Sequence, residues 1–271
     1  YRDWFKTQRT SYNSKIKGKS WLLKCEDLYH LRAPGGTCLC ALEQEECGST
    51  KDRINDSKGC GGVMRVAPIG LYLPNHMDSI KEMDMVGAEA AALTHGHSLG
   101  FIPAAALVHI VAKCMLSEDS LEDIVKDAID TMCELFEKDI YIDEFCKIMQ
   151  LAIELSYQKL SDLEAIRKIG EGWVGEEALA IAVYCALKYQ NDFRKAIIAS
   201  VNHDGDSDST GAVTGNILGA YLGVSQIPNE WIEPLELKEV MEELIMDMYE
   251  DCQMSKESDS YNEIWYKKYV M

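Results

Sequence analysis

The sequence predicts an all-α protein. Three observations carry that expectation. Apolar residues recur at helical spacing in segment after segment, no stretch shows the alternation a half-buried strand needs, and the breaks are rich in Gly, Pro, Ser, Thr and Asp. With 271 residues, 47% of them hydrophobic, the chain is long enough to bury a sizeable core. It reads as one compact multi-helix domain over residues 1–271, with its functional groups in the connections.

In chain order, residues 1–31 read as a helix, a polar connection and a second helix. Residues 32–57 are loop-like, broken by Pro34, Gly35 and Gly36, with a short helix over 39–46. A glycine-rich loop, SKGCGG, spans 57–62 and leads into an apolar segment over 63–73. Residues 78–93 place Ile80, Met83, Val86, Ala90 and Leu93 on one helical side. THGHSLG (94–100) is a break, and 101–115 is a strongly apolar helix that tolerates Pro103 in its first turn. Further helices are expected over 120–136, 142–159, 175–189, 192–201, 211–222 and 234–249, and a loose polar tail over 251–259.

Composition excludes some classes. A formal net charge of -18 argues against a nucleic-acid or anionic-membrane partner. No 18-residue apolar run suggests a transmembrane helix, and no signal peptide is read. The ten cysteines form no CxxC pair, and several sit in helical apolar patterns as reduced core thiols. A cytoplasmic chain is expected.

One stretch concentrates the chemistry: VNHDGDSDSTGAVTGNILGAYLG, residues 201–223. Asp204, Asp206 and Asp208 stand at every second position, followed by Ser209 and Thr210. In an extended loop alternate side chains point the same way. Asp206 and Asp208 would then reach one hard divalent cation, with the Ser209 hydroxyl as a further ligand. Helix capping is the competing explanation, but one Asp would satisfy it. An EF-hand is rejected because its sixth position is Ser209 rather than Gly, and its twelfth is Gly215 rather than Glu. Glycines at 211, 215, 219 and 223 read as a packing stripe for close approach of another backbone.

The remaining loops are less decisive. SKGCGG offers backbone N–H groups for a phosphate or diphosphate, but lacks the GK[ST] ending of a nucleotide P-loop. His95 and His97 are either surface histidines beside a Thr94 cap or part of a ligand-contacting loop. Arg65 is an anion contact or an ion-pair partner. Trp173 reads as core or rim packing rather than a stacking platform. No base is seen beside Cys60 to make it a nucleophile.

Together RAPGGTCLCAL (32–42), SKGCGGVMRVAPIGL (57–71), THGHSLGFIPAAAL (94–107), GEGWVGEEALAIAVYCAL (170–187) and NHDGDSDSTGAVTGNILGA (202–220) resemble the ADP-ribosylglycohydrolase family, in the family's order and over most of the chain. The resemblance implies a compact all-α fold and a two-metal centre, usually magnesium. It implies Asp206, Asp208 and Ser209 as metal ligands from the GDxD[ST] motif, with Asp206 and Asp208 catalytic. It also implies Ser57, Gly59, Cys60, Gly61, Gly62 and His95 as substrate contacts. The implied reaction is metal-assisted removal of ADP-ribose from a modified protein or small molecule. The alternative is a non-enzymatic, crystallin-like or ADP-ribose-binding member. The family's GDALG-like and [ST]DDT segments do not occur here. The N-terminal part of the domain is therefore read as missing, with half of the metal ligands.

Overall fold

The computed structural model describes residues 1–12, 15–250 and 261–269. The tail expected over 251–259 lies outside the described residues. Fourteen α-helices and several short 3-10 turns make up the described residues, with no β-strand among them. The all-α expectation holds. The chain divides into two compact units, one of Tyr1–Glu45 with Asn229–Met271 and one of Glu46–Pro228.

The first unit holds α1 (Arg2–Arg9), α2 (Gly36–Glu43), α12 (Asn229–Ile232), α13 (Lys238–Glu250) and α14 (Glu263–Tyr269). The second helix expected within residues 1–31 is instead a pair of four-residue 3-10 turns, Trp21–Lys24 and Glu26–Tyr29. Their entry is pinned by Asp3, whose carboxylate accepts from the backbone N–H groups of Lys19 and Ser20.

The larger unit holds α3 (Ala67–Tyr72), α4 (Ile80–Ala92), α5 (Ser98–Leu116), α6 (Leu121–Leu135), α7 (Ile142–Ser156), α8 (Asp162–Ile169), α9 (Gly175–Lys188), α10 (Phe193–Val201) and α11 (Ser207–Leu222). Helices α5 and α9 are apolar all round because both are core. Every residue from Ser98 to Ala112 is buried, as are most of α9. Helix α5 packs against α3, α4, α6, α9 and α11, and α9 against α7, α8, α10 and α11. Helix α5 is long and apolar enough to cross a membrane, but its apolar window is 78% buried inside the protein, as a core helix would be. It starts three residues earlier than expected, so Pro103 lies in its second turn and removes a helical hydrogen bond to the Leu99 carbonyl.

Helix α8 was not anticipated. Its signal was local: Ser161 and Glu164 form a complete capping box, the S-x-x-E pattern that satisfies two N-terminal donors. The glycine stripe of α11 also needs correction. A Cβ at Gly211 would meet the Val201 side chain at 2.6 Å, whereas Gly219 faces open space. Gly223 ends the helix with φ 78°, the left-handed C-cap. Only the first of the four is required by close packing, and its neighbour is a side chain rather than a backbone.

A buried polar network ties α4, α5 and α6. His109 Nδ1 lies 2.9 Å from Asp84 Oδ2, and Nε2 lies 3.2 Å from Asp127 Oδ2. Asp127 also pairs with Lys113 at 2.7 Å. Asp84 is fully buried, and burial pushes its carboxyl above the usual range. Removing the histidine strands that carboxyl. His109→Leu is expected to cost about 3–5 kcal/mol in urea denaturation, whereas Asp127→Asn at the exposed end should cost about 1 kcal/mol or less.

Candidate active site

The site is assembled on residues 171–175, the short connection that leads from α8 into the first residue of α9. Its backbone serves two loops. On one side the glycine-rich loop pairs with it: Gly59 and Val174 form an isolated antiparallel bridge, Cys60 N–H donates to Trp173 O at 3.2 Å, and Gly175 N–H donates to Lys58 O at 2.8 Å. On the other side Asp206 N–H donates to Glu171 O at 2.7 Å. The segment is itself held by Glu177, whose Oε2 accepts from the N–H groups of Glu171 and Gly172, both at 3.0 Å.

This arrangement brings the two sequence-predicted loops together. Cys60 Sγ donates to Asp206 Oδ2 at 2.8 Å and lies 3.4 Å from Ser209 Oγ. Ser209 Oγ in turn contacts Met64 Sδ at 2.9 Å. Burial and the Asp206 carboxylate push the Cys60 thiol up to about 12. It therefore stays protonated near neutral pH and acts as a donor rather than a nucleophile.

The acidic loop is not extended as expected. Helix α11 begins at Ser207, with Asp206 at its N-cap and Asp208 in its first turn. The tether from Asp206 N–H to Glu171 turns the chain into the helix four residues earlier than the glycine pattern suggested. The Asp206 side chain makes no capping hydrogen bond, so its carboxyl is not consumed in the role that competed with ligand binding. It shares a hydrogen bond with Asp208 instead. Asp206 is buried, and burial followed by the Asp208 charge raises its affinity for a proton. Asp208 is exposed, and the hydrogen bond from Asp206 lowers its own. Two carboxyl groups two residues apart at a helix N-terminus, one buried and one exposed, form a cation-seeking arrangement.

Asp204 points elsewhere: it is exposed and pairs with Arg167 at 2.8 Å. His203 is structural. Its Nδ1 accepts from Gly205 N–H at 3.1 Å, leaving Nε2 to donate to Thr210 Oγ1 at 2.9 Å.

His95 lies beneath the glycine-rich loop and not on the surface, at 2% exposure. Its Nδ1 is 2.8 Å from Thr94 Oγ1, and a Cβ built at Gly59 would sit 3.4 Å from its Nε2. Burial, and secondarily Arg65, lowers its pKa to about 4. Arg65 reaches the backbone at the end of α4. Its Nη2 donates to Ala90 O at 2.8 Å and Thr94 Oγ1 at 2.7 Å, closing the C-terminal end of α4. His97 caps α5, accepting from Leu99 N–H at 3.0 Å.

Two positions, Asn55 and Glu177, escaped the sequence reading, and a third, Trp173, is narrowed by the structure. Asn55 staples two loops, its Oδ1 accepting from Ser57 N–H and Gly96 N–H and its Nδ2 donating to Thr94 O. The signal was the N-x-S Asx turn immediately before the glycine-rich loop. Glu177 was visible only as one acid among many. Trp173 is 57% exposed, which rules out the core role and leaves an indole open beside the loop.

The family model for ADP-ribosylglycohydrolase matches residues 1–258. The chain belongs to the ADP-ribosylglycohydrolase family. Among curated relatives it is 27% identical to the human "ADP-ribosylhydrolase ARH3", over 73% of this chain and 60% of that protein. It is 44% identical to the Rhodospirillum rubrum "ADP-ribosyl-[dinitrogen reductase] glycohydrolase", but over only 17% of this chain and 16% of that one. The chain thus spans about three fifths of the length of the first of these relatives. Among solved structures, an "ADP-ribosylglycohydrolase-related protein complex" matches with a TM-score of 0.57 at 24% identity, covering 79% of this chain and 68% of that one. This likeness shows the fold.

Two expectations follow from the geometry. A Cβ at Gly205 would fall 1.8 Å from the Glu171 carbonyl oxygen, so Gly205→Ala must part the acidic loop from the 171–175 segment. A loss of about 1–3 kcal/mol is expected in chemical denaturation. His95 is depressed in the folded state, so protonation favours the unfolded chain. Stability from this group is complete above about pH 6.5 and is lost as pH falls toward about 4. Denaturation midpoints measured across that window should fall less steeply in His95→Gln than in the wild type.

Proposed function

We propose that this chain hydrolyses the glycosidic bond at the ribose anomeric carbon and releases ADP-ribose from a modified protein or a small ADP-ribose-containing molecule. The observation that carries this reading is the hydrogen bond joining the glycine-rich loop to the acidic helix start, from Cys60 Sγ to Asp206 Oδ2 at 2.8 Å. ADP-ribose presents a diphosphate and a hydroxyl-bearing ribose a few bonds apart. A glycine-rich loop beside paired carboxylates matches both halves.

The oxygen donors Asp206, Asp208 and Ser209 suit magnesium. Burial and the neighbouring Asp208 raise the proton affinity of Asp206, and a carboxyl so placed gives up its proton when a hard divalent cation takes its place. Among the described residues no group of three or more His, Cys, Asp or Glu side chains gathers as a metal site. These three residues would hold the ion together with water, ribose hydroxyls or further groups. When bound, magnesium supplies charge neutralisation and Lewis-acid polarisation.

The chain's own residues account for the rest. Of the loop amides, Ser57 N–H is taken by Asn55 and Cys60 N–H by Trp173. The first-turn amide of Gly61 has no i−3 acceptor within the 3-10 turn that starts at Cys60 and is the donor offered to the diphosphate. His95, neutral and buried, supports Gly59 and Gly62 from below. The exposed Asp208 carboxylate accepts ribose hydroxyls and stabilises positive charge developing on the ring. Cys60 holds Asp206 by donating its thiol hydrogen. Trp173 offers its open face to the purine.

Asp206→Ala and Asp208→Ala are each expected to lower bound magnesium and to slow ADP-ribose release by at least about 100-fold. Unchanged turnover would sink the assignment. Calorimetric titration with ADP-ribose, with and without Mg²⁺, should show binding that magnesium strengthens, and no heat in either case rejects the pocket. Trp173→Ala should weaken that binding by about tenfold with an unchanged melting temperature.

A further inference from the structure

The residue just upstream of the glycines in the SKGCGG loop is held twice. Lys58 stands between Ser57 and Gly59, and two of its groups are fixed to consecutive residues at the start of α9. Its carbonyl oxygen accepts from Gly175 N–H at 2.8 Å, and its Nζ donates to Glu176 Oε1. The platform is rigid. Glu176 and nearly all of α9 after it are buried. A Cβ at Gly175 would lie 2.7 Å from the Leu99 carbonyl oxygen, so the helix start is pressed against α5. The Glu176 side chain is 4% exposed and that of Lys58 36%. Glu176 Oε2 has no hydrogen-bond partner, and Lys58 is the cation set against this buried charge. Exposed Glu144, in the first turn of α7, lies 3.6 Å from the same ammonium.

Stability does not account for such a pair. Well-packed apolar side chains in place of a buried ion pair are commonly neutral or stabilising, because the desolvation cost is avoided. What an ion pair adds is direction: the long side chain is drawn to one point, and the backbone that carries it is drawn along. We propose that Lys58 and Glu176 are positioning residues for the hydrolysis, an ion-paired clamp that holds the glycine-rich loop in the conformation that receives the diphosphate. This rests on the reading of that loop as the diphosphate subsite. The clamp acts at the upstream end of the loop, ahead of the point where Cys60 Sγ bonds to Asp206. Neither clamp residue touches the reacting atoms. Lys58 also keeps Glu176 and Glu144 from presenting uncompensated negative charge beside an anionic ligand. With the loop already ordered, ADP-ribose binding does not bear the entropy of ordering it.

The decisive variant combines Lys58→Met with Glu176→Leu. It removes both charges at once and leaves no buried carboxylate stranded, as Lys58→Met alone would. Its melting temperature and circular dichroism should match the wild type. Calorimetry at fixed Mg²⁺ should then show ADP-ribose binding about tenfold weaker, with magnesium affinity changed by less than about twofold, so that KM rises while kcat is kept. Hydrogen exchange at the Cys60 and Gly175 amides, which bond between the loop and the 171–175 connection, should quicken about tenfold. Lys58→Arg keeps the ion pair and should behave as the wild type in both measurements. Wild-type affinity and wild-type exchange in the double variant would overturn the proposal. A double variant that no longer folds would assign the pair to stability and overturn it too. If the wild-type chain binds no ADP-ribose, the diphosphate reading falls; faster exchange in the double variant would still support the clamp, and unchanged exchange would overturn it.

Discussion

The site depends on the short connection 171–174 and the first residue of α9, Gly175. Their carbonyl and amide groups bond to Asp206 on one side and to Lys58 and Cys60 on the other. No single bond here is strong; a net contribution of about 1 kcal/mol each is typical. Their effect is positional. Because the peptide groups on the two edges of one extended segment are held in a common frame, two loops some 150 residues apart in sequence meet within the reach of a thiol hydrogen bond. Glu177 keeps that segment in place by accepting two of its amides with one oxygen, a charge-assisted arrangement stronger than its neutral equivalent.

Buried acids recur in this acidic chain, and each is compensated differently. Asp84 faces a histidine. Glu176, in the first turn of α9, pairs with Lys58 of the glycine-rich loop, with Glu144 a further 3.6 Å neighbour of that lysine. Glu176 Oε2 has no hydrogen-bond partner, and burial raises the proton affinity of the carboxyl despite Lys58. Asp206 has no cationic partner among its hydrogen bonds and meets the charge of a second carboxyl, Asp208, instead. That contrast separates the candidate catalytic carboxyls from the structural ones.

Helix type and approximate position were legible in the sequence because periodicity reports burial on one side, and Ser120, Ser161 and Asp192 announce helix starts chemically. Where the reading slipped, the competing influence was tertiary. A backbone tether started α11 early, and Asp3 replaced an expected helix near Ser20 with 3-10 turns. The open space beside Gly219 shows that a regular glycine spacing alone does not prove close packing.

By itself, the sequence determined an all-α chain, a cluster of carboxyl and hydroxyl groups in the 206–209 stretch, a glycine-rich loop, and a family resemblance that the family match bears out. These are properties of residue type and spacing. Only the tertiary structure decided that Asp206 is buried and uncommitted to capping, that Asp204 turns out to Arg167, that His95 lies under the loop, and that Trp173 is open. Each of those depends on what a distant segment brings alongside, and no local pattern encodes the partner's direction.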